Sequence, residues 1–307
     1  MKKVLVATEK PFAKEAVDSI KEIAEKAGYN LILLEKYTEK SQLIQAVADV
    51  DAMIIRSDIA DKDVINAGKN LKIIVRAGAG YDNIDLAAAS ANNVVAMNTP
   101  GQNSNAVAEL AIGMMIYMAR GCFNGKSGTE LRGKKLGIHA YGNVGKYVAE
   151  IAKGFGMEIF AFDPFVSREA IEKDGIIALE TVEELYSKCN YVSLHIPANE
   201  HTKKSINYDL LSKMPEFAVL VNTARKEVIN EEDLLRIMDE KQKFYYLSDI
   251  EPGLKDAFLE KFSGRIYFTP KKMGAQTEEA NVNAGIAAIN QIIGFMENGD
   301  NTFQVNK

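Results

Sequence analysis

Short runs of aliphatic and β-branched residues alternate with helix-patterned segments along almost the whole chain, and no other feature constrains its fold as much. In the first hundred residues KVLVAT (3–8), NLILLEKY (30–37), AMIIRS (52–57), LKIIVRAG (71–78) and NVVAMNT (93–99) read as strands. Between them AVDSIKEIAEKAG, KSQLIQAVADV and DLAAASANN carry apolar residues at helical spacing. Strands that are apolar on both faces need helices on both sides of a parallel sheet. The alternation restarts at Lys134, with strands KKLGIHA, EIFAFDP, YVSLHIP, AVLVNTA, FYYLSDI and RIYFTP. The expected fold is α/β: two Rossmann-like or flavodoxin-like doubly wound parallel-sheet domains with a cleft between them. The 307 residues accommodate both, since single domains usually run ~100–200 residues.

Three helices stand out. NAVAELAIGMMIYMAR (105–120) is apolar around most of its circumference, which predicts a buried helix; Glu109 interrupts a run already too short to span a membrane. NEEDLLRIMDE is expected to start from Asn230 as N-cap, with acids in its first turn. The last helix spans 277–299, from Thr277 to Gly299, a residue suited to the left-handed C′ position. A net charge of −5 gives no general attraction to nucleic acid or anionic membranes, so any phosphate must be bound locally. Two cysteines, Cys122 and Cys189, are too few for a disulfide framework and read as reduced thiols. The N-terminal apolar run is too short for a secretory signal, so a cytoplasmic protein is expected.

The segment LGIHAYGNVGKYVAEIAKGFGMEIFAFDP carries the most specific local signal. A strand ends in Ala140-Tyr141-Gly142-Asn143-Val144-Gly145, and a helix with the stripe Val144, Val148, Ile151, Ala152 and Phe155 follows. In the pattern G-x-G-x-x-G the second glycine admits a pyrophosphate against the backbone, and the third lets helix and strand pack closely. An acid about 20 residues further on binds the adenosine ribose, and Asp163 ends the next strand. Ala140 stands where the first glycine belongs, which alanine tolerates if the turn keeps φ negative. Asp163 with no adjacent arginine favours NAD over NADP, because a carboxylate repels a 2′-phosphate.

Ligands of open α/β sheets bind beyond the carboxyl ends of the strands. There the chain places Gly142, Asp163, His195-Ile196-Pro197, Asn222-Thr223-Ala224-Arg225, Asp249 with Glu251, and Lys271-Lys272. The motifs VRAGAGYDNID, NTPGQN, AVAEL, GTELRGKKLGIHAYGNVG, FDP, SLHIP, LVNTARKEVINEEDL and TPKKMGAQT, in that order, resemble the D-isomer-specific 2-hydroxyacid dehydrogenases over almost the whole chain.

The resemblance implies a substrate-binding domain of 1–99 plus 280–307 and an NAD-binding Rossmann domain of 100–279, pairing into a homodimer through the latter. It assigns the substrate carboxylate and keto group to Arg225, and the same carboxylate to the backbone of Gly78, Ala79 and Gly80. It assigns a substrate phosphate to Arg56 and Arg76, with Ser57 beside them, and gives Arg132 a weaker tie to the partner subunit. Gly142, Asn143, Val144, Gly145, Asp163, His195, Ile196, Pro197, Thr202, Thr223, Ala224, Arg225 and Gly274 are expected around NAD, with Asp249 on the nicotinamide amide. The implied reaction is oxidation of 3-phosphoglycerate to 3-phosphohydroxypyruvate at the entry to serine biosynthesis. Reduction of pyruvate, glyoxylate or hydroxypyruvate, and a catalytically silent NAD-binding regulator, are its rivals. The chain stops shortly after its last helix, so feedback by serine through an added domain is not expected.

In one place the pattern breaks. The family has Thr-Pro-His, a hydrophobic residue and Gly-Ala, and its histidine exchanges the proton with the substrate hydroxyl. Here FTPKKMGAQT (268–277) has one extra residue and no histidine. Counting from Pro270 puts Lys271 in the slot; counting back from Gly274 puts Lys272 there, and Gly274 is expected to fix register more tightly. Glu251, before Pro252, matches the glutamate that orients the family's histidine. Lys272 is thus the expected proton carrier and Lys271 its neighbour or an anion contact.

Overall fold

Two parallel sheets organise the chain in a computed structural model that describes all 307 residues. The chain divides into two compact units, Met1–Asn103 with Gln276–Lys307, and Ser104–Ala275.

In the first unit β1 (Lys3–Thr8), β2 (Asn30–Glu35), β3 (Ala52–Ile55), β4 (Ile73–Arg76) and β5 (Val95–Asn98) form one sheet in the order β2-β1-β3-β4-β5. Every pairing is parallel. Alternate side chains leave opposite faces of a strand, and both faces here are covered. Val4, Val6, Ile54, Ile73 and Val75 pack with Ile20, Ala288, Ile289 and Ile292 from the helices Lys14–Lys26 and Glu278–Asn298. Leu5, Ala7, Met53, Ile55 and Ile74 pack on the other side with Leu43, Val64 and Ala89. This double burial explains why the strands read as continuous apolar runs. The final helix has both expected caps: Thr277 Oγ1 accepts the Ala280 N–H at 3.1 Å, and Gly299 sits at φ +69°.

In the second unit β6 (Lys135–His139), β7 (Glu158–Phe162), β8 (Ile177–Ala178), β9 (Tyr191–Leu194), β10 (Ala218–Asn222), β11 (Phe244–Ser248) and β12 (Ile266–Phe268) take the order β12-β11-β10-β9-β6-β7-β8. The chain runs outward from β6 to β8, then returns to β9 on the other side of β6. That reversal makes the β6/β9 boundary the topological switch point, where such sheets open a ligand crevice. β8, two residues long, is too short to leave a periodic signal.

Two local expectations are corrected. Asn230 makes no side-chain cap bond to the helix Glu231–Glu240, whose three first-turn acids already complement its dipole. In the helix Asn143–Gly154 the buried residues are Gly145, Val148, Ala149 and Ala152; Val144 and Ile151 are only partly buried, and Phe155 at the C-cap is 39% exposed. Small residues face β6 because helix and strand approach too closely for larger ones. The helix Ser104–Ala119 buries Ala108, Ala111, Ile112, Met115 and Met118. No helix is long and apolar enough to cross a membrane, and both cysteines are free.

Candidate active site

The carboxyl edge of the second sheet is built around the turn after β6. Gly142 precedes the helix Asn143–Gly154 as its N-cap, with open space where a Cβ would stand. A methyl group on Gly145 would lie 2.4 Å from the Ala140 carbonyl oxygen and 3.0 Å from Ile138, so only glycine permits this approach. Asp163 closes the turn from the end of β7: one carboxylate oxygen accepts the Tyr141 N–H and the other the Phe165 N–H, both at 2.8 Å. Ala140 departs from expectation. Its φ is +81°, the left-handed region a first glycine would occupy, and its N–H still donates to Phe162 at 2.9 Å. The turn therefore keeps the glycine geometry with an alanine in it.

Sequence reasoning gave Tyr141 no role, yet it is 1% exposed and its hydroxyl donates to Asp174 at 3.0 Å. Its N–H on Asp163 and O–H on Asp174 tie the turn to two neighbouring segments. An aromatic inside a glycine-rich turn was the available signal.

Across the switch point, His195 N–H donates to the His139 carbonyl at 2.9 Å. The His139 ring, 8% exposed, meets the Tyr186 hydroxyl at 3.2 Å through Nδ1. Burial pulls His139 down to about 4, Asp163 opposing weakly. Burial, then His139, pulls His195 down to about 3. Both rings are neutral near pH 7, so neither supplies a proton there. His201 lies exposed in the loop after β9. His195 Nε2 and Thr223 Oγ1 are buried without a hydrogen-bond partner, each one residue beyond the register pair Leu194–Asn222. Two orphaned polar atoms beside the switch point, an open glycine N-cap and a ribose-height carboxylate fit a dinucleotide. Gly142, Asn143 and Gly145 would hold the pyrophosphate, Asp163 the ribose, and His195 and Thr223 would gain polar partners. Ile196 is buried, Pro197 exposed, and Thr202 Oγ1 donates to the Pro197 carbonyl at 2.5 Å, shaping the loop that follows β9.

Arg225 follows β10. Asn222 organises that bend: its Nδ2 donates to the Arg225 carbonyl at 3.0 Å and its Oδ1 accepts the Ala224 N–H at 3.0 Å. The guanidinium makes one hydrogen bond, from Nη1 to the Ala224 carbonyl at 3.0 Å, and no ion pair. Four of its five donors remain for an anion.

The lysine loop starts after β12. Both Lys271 and Lys272 are exposed. Glu251 is engaged elsewhere, with Lys255 at 2.5 Å. Asp249 is 1% exposed and accepts Thr269 Oγ1 at 3.0 Å, Met273 N–H at 2.9 Å and Gly274 N–H at 2.8 Å. The carboxylate assigned to the nicotinamide thus grips the loop that carries the lysines.

In the first unit two arginines lie near a glycine loop. Gly78 sits at φ +155°, and a methyl group there would fall 1.9 Å from Arg76 Nη1, so the Arg76 side chain lies directly over the loop. Arg76 Nε donates to the Arg56 carbonyl at 3.0 Å. The N–H groups of Ala79 and Gly80 make no hydrogen bond inside the chain. Arg56 is held differently from expectation: Nη1 donates to the carbonyls of Lys10 (3.1 Å) and Pro11 (3.0 Å), Nη2 donates to Asn281, and the guanidinium stacks 4.9 Å from the Phe12 ring centroid. Three of its five donors are therefore used inside the unit. Ser57 is exposed beside it.

Residues 106–261 match the family model described as D-isomer specific 2-hydroxyacid dehydrogenase, NAD binding domain. The chain is 35% identical over 280 residues to a hydroxypyruvate reductase of Thermotoga maritima, covering 85% of this chain and 90% of that one. It is 34% identical over 309 residues to a D-3-phosphoglycerate dehydrogenase of Synechocystis, covering 95% of this chain and 54% of the relative. It thus spans about half the length of the curated relatives named D-3-phosphoglycerate dehydrogenase. Among solved structures it is similar to an NAD+-bound 3-phosphoglycerate dehydrogenase of Entamoeba histolytica, with TM-score 0.86, 49% identity and coverage of 100% and 99% of the two chains. The glycine turn, the carboxylate of Asp163 at the end of β7 and the arginine after β10 agree with these matches, and the chain belongs to the NAD-dependent D-isomer-specific 2-hydroxyacid dehydrogenases.

Proposed function

We propose that the chain interconverts 3-phosphoglycerate and 3-phosphohydroxypyruvate, the entry reaction of serine biosynthesis, with Lys272 as proton carrier. The observation that carries the substrate is Arg76 lying over Gly78 beside two unused N–H groups, those of Ala79 and Gly80. One permanent cation and two neutral donors suit a ligand with more than one anionic group. Arg76 is the phosphate residue in this reading, and Arg56, fixed by carbonyls, adds positive charge more than new hydrogen bonds. The relatives named D-3-phosphoglycerate dehydrogenase support it, and the hydroxypyruvate reductase makes hydroxypyruvate the rival substrate.

Bound NAD supplies the hydride chemistry. The chain's own groups do the rest. Arg225 polarises the keto oxygen and holds the carboxylate. Lys272 delivers a proton to the alkoxide that reduction leaves, and receives it in oxidation. A neutral lysine is needed for oxidation, and a lysine of ordinary pKa, ~10.4, is almost wholly protonated near pH 7. The positive charges of Lys271, Arg225 and the oxidised cofactor must then favour its neutral form. A homodimer through the second unit belongs to the same proposal, and sedimentation of the purified chain checks it.

NADH oxidation with phosphohydroxypyruvate, hydroxypyruvate, pyruvate and 2-oxoglutarate, side by side, tests the substrate. Phosphohydroxypyruvate should give the highest kcat/KM. Arg76→Ala should cost it ~1.5–3 kcal/mol of charged hydrogen bonding, with a smaller loss on hydroxypyruvate. Equal losses on both would place Arg76 at the carboxylate or in the fold.

A further inference from the structure

We infer that Asn98 is a positioning residue for the substrate carboxylate, fixing the peptide plane that turns the Gly80 N–H toward it. That role rests on the reading that the Ala79 and Gly80 N–H groups hold this carboxylate. β4 and β5 run in parallel register as far as the pair Arg76–Asn98, and the Gly78-Ala79-Gly80 loop leaves β4 just beyond it. Two further bonds tie the loop back to the end of β5. The Thr99 N–H donates to the Gly78 carbonyl at 3.0 Å, and Asn98 Nδ2 donates to the Ala79 carbonyl at 2.6 Å. A trans peptide is planar and carries its C=O and N–H on opposite sides. The Gly78 carbonyl shares its plane with the Ala79 N–H, and the Ala79 carbonyl shares its plane with the Gly80 N–H. Holding both carbonyls against β5 therefore turns both N–H groups away from it. Neither N–H has a partner inside the chain, Ala79 is exposed, and Asn98 is 8% exposed. A buried clamp thus sets the direction of two open donors.

Of the two clamps, only Asn98 acts through its side chain. The orientation of its amide follows from chemistry, because an Oδ1 in that place would face the Ala79 carbonyl oxygen with no proton between them. Without the amide, the peptide between Ala79 and Gly80 is free to rotate, and its N–H leaves the carboxylate. β5 is the edge strand of its sheet, and the end of the chain holds it from outside. Asn306 Oδ1 accepts the Ala96 N–H and its Nδ2 donates to the Val94 carbonyl, both at 2.9 Å. The Val305 N–H donates to the Ala96 carbonyl at 2.9 Å. Asn306 therefore supports the same strand as Asn98 but makes no bond to the loop.

Asn98→Ala should raise KM for phosphohydroxypyruvate about tenfold, as expected for one hydrogen bond to a charged group. Its kcat should stay within about threefold, because ground state and transition state lose that bond alike. KM for hydroxypyruvate should rise by the same factor, since both substrates carry the carboxylate. Asn98→Asp, of equal size, sets an acceptor against the Ala79 carbonyl and should raise both KM values at least as much. Asn306→Ala should lower the melting temperature and leave both KM values near those of the parent. Equal KM rises in Asn306→Ala and Asn98→Ala would assign the effect to a loosened β5 and overturn the inference. Parent KM values in Asn98→Asp would overturn the donor role, and a rise confined to phosphohydroxypyruvate would overturn the carboxylate contact in favour of the phosphate. If the parent prefers hydroxypyruvate or pyruvate, the substrate reading alone fails, because the KM rise is read equally well on any 2-oxo acid.

Discussion

The turn after β6 offers two substitutions whose effects should have opposite signs. Ala140 holds φ +81°, a conformation that costs an L-residue roughly 1–2 kcal/mol. Glycine adopts it freely but loses about 0.5–1 kcal/mol to its looser unfolded chain. Ala140→Gly should therefore stabilise the protein by about 0.5–1 kcal/mol and leave NADH binding near the parent value. Gly145→Ala runs the other way. Its new methyl would stand 2.4 Å from the Ala140 carbonyl oxygen. Restoring an ordinary contact needs about 1 Å of helix displacement. Overpacking of that kind costs ~1–3 kcal/mol. The same shift draws the helix N-terminus from the pyrophosphate, and weakening one charged hydrogen bond costs ~1.5–3 kcal/mol. NADH Kd should then rise about ten- to hundredfold. Thermal melts report the first effect and NADH fluorescence titration the second. If Gly145→Ala bound NADH like the parent, the turn would not be where the pyrophosphate sits.

Asp163→Ala should erode a preference for NAD over NADP that the parent should show at well over tenfold in kcat/KM; equal use of both cofactors by the parent would refute the ribose assignment. The buried histidines predict an acid limb of stability. Their folded-state values of about 4 and about 3 lie below the ordinary 6.5, so the unfolded chain takes up protons that the native one refuses. Their stabilisation is fully present above about pH 6.5 and is lost as pH falls toward their folded values, by about 2 kcal/mol per histidine between pH 7 and pH 5. Urea midpoints across that range should show the loss, and His139→Gln should flatten it.

Much of the fold was legible because its strands are apolar on both faces: KVLVAT and AMII had to be central strands, and the glycine turn marked where the second sheet begins. What was not legible depends on backbone angle or on contacts between distant segments. Alanine normally keeps φ negative, so nothing in HAYG announced that Ala140 would hold a glycine conformation. Asp249 and Gly274 are far apart in sequence, and no local pattern joins a strand-end acid to a loop after the next strand. Arg56 and Arg76 looked equivalent as arginines ending neighbouring strands. The structure separates them by side-chain direction: one turns into carbonyls and Phe12, the other over Gly78.

The central claim is that a lysine does a histidine's work, and its most direct test is the kcat of phosphohydroxypyruvate reduction by NADH in the parent, Lys272→Ala and Lys271→Ala. Lys272→Ala should lose ~10²–10⁴ in kcat while binding NADH normally, and Lys271→Ala should lose far less. Near-normal turnover in Lys272→Ala would make both lysines solvated surface charges, and a large loss confined to Lys271→Ala would place the proton carrier one residue earlier.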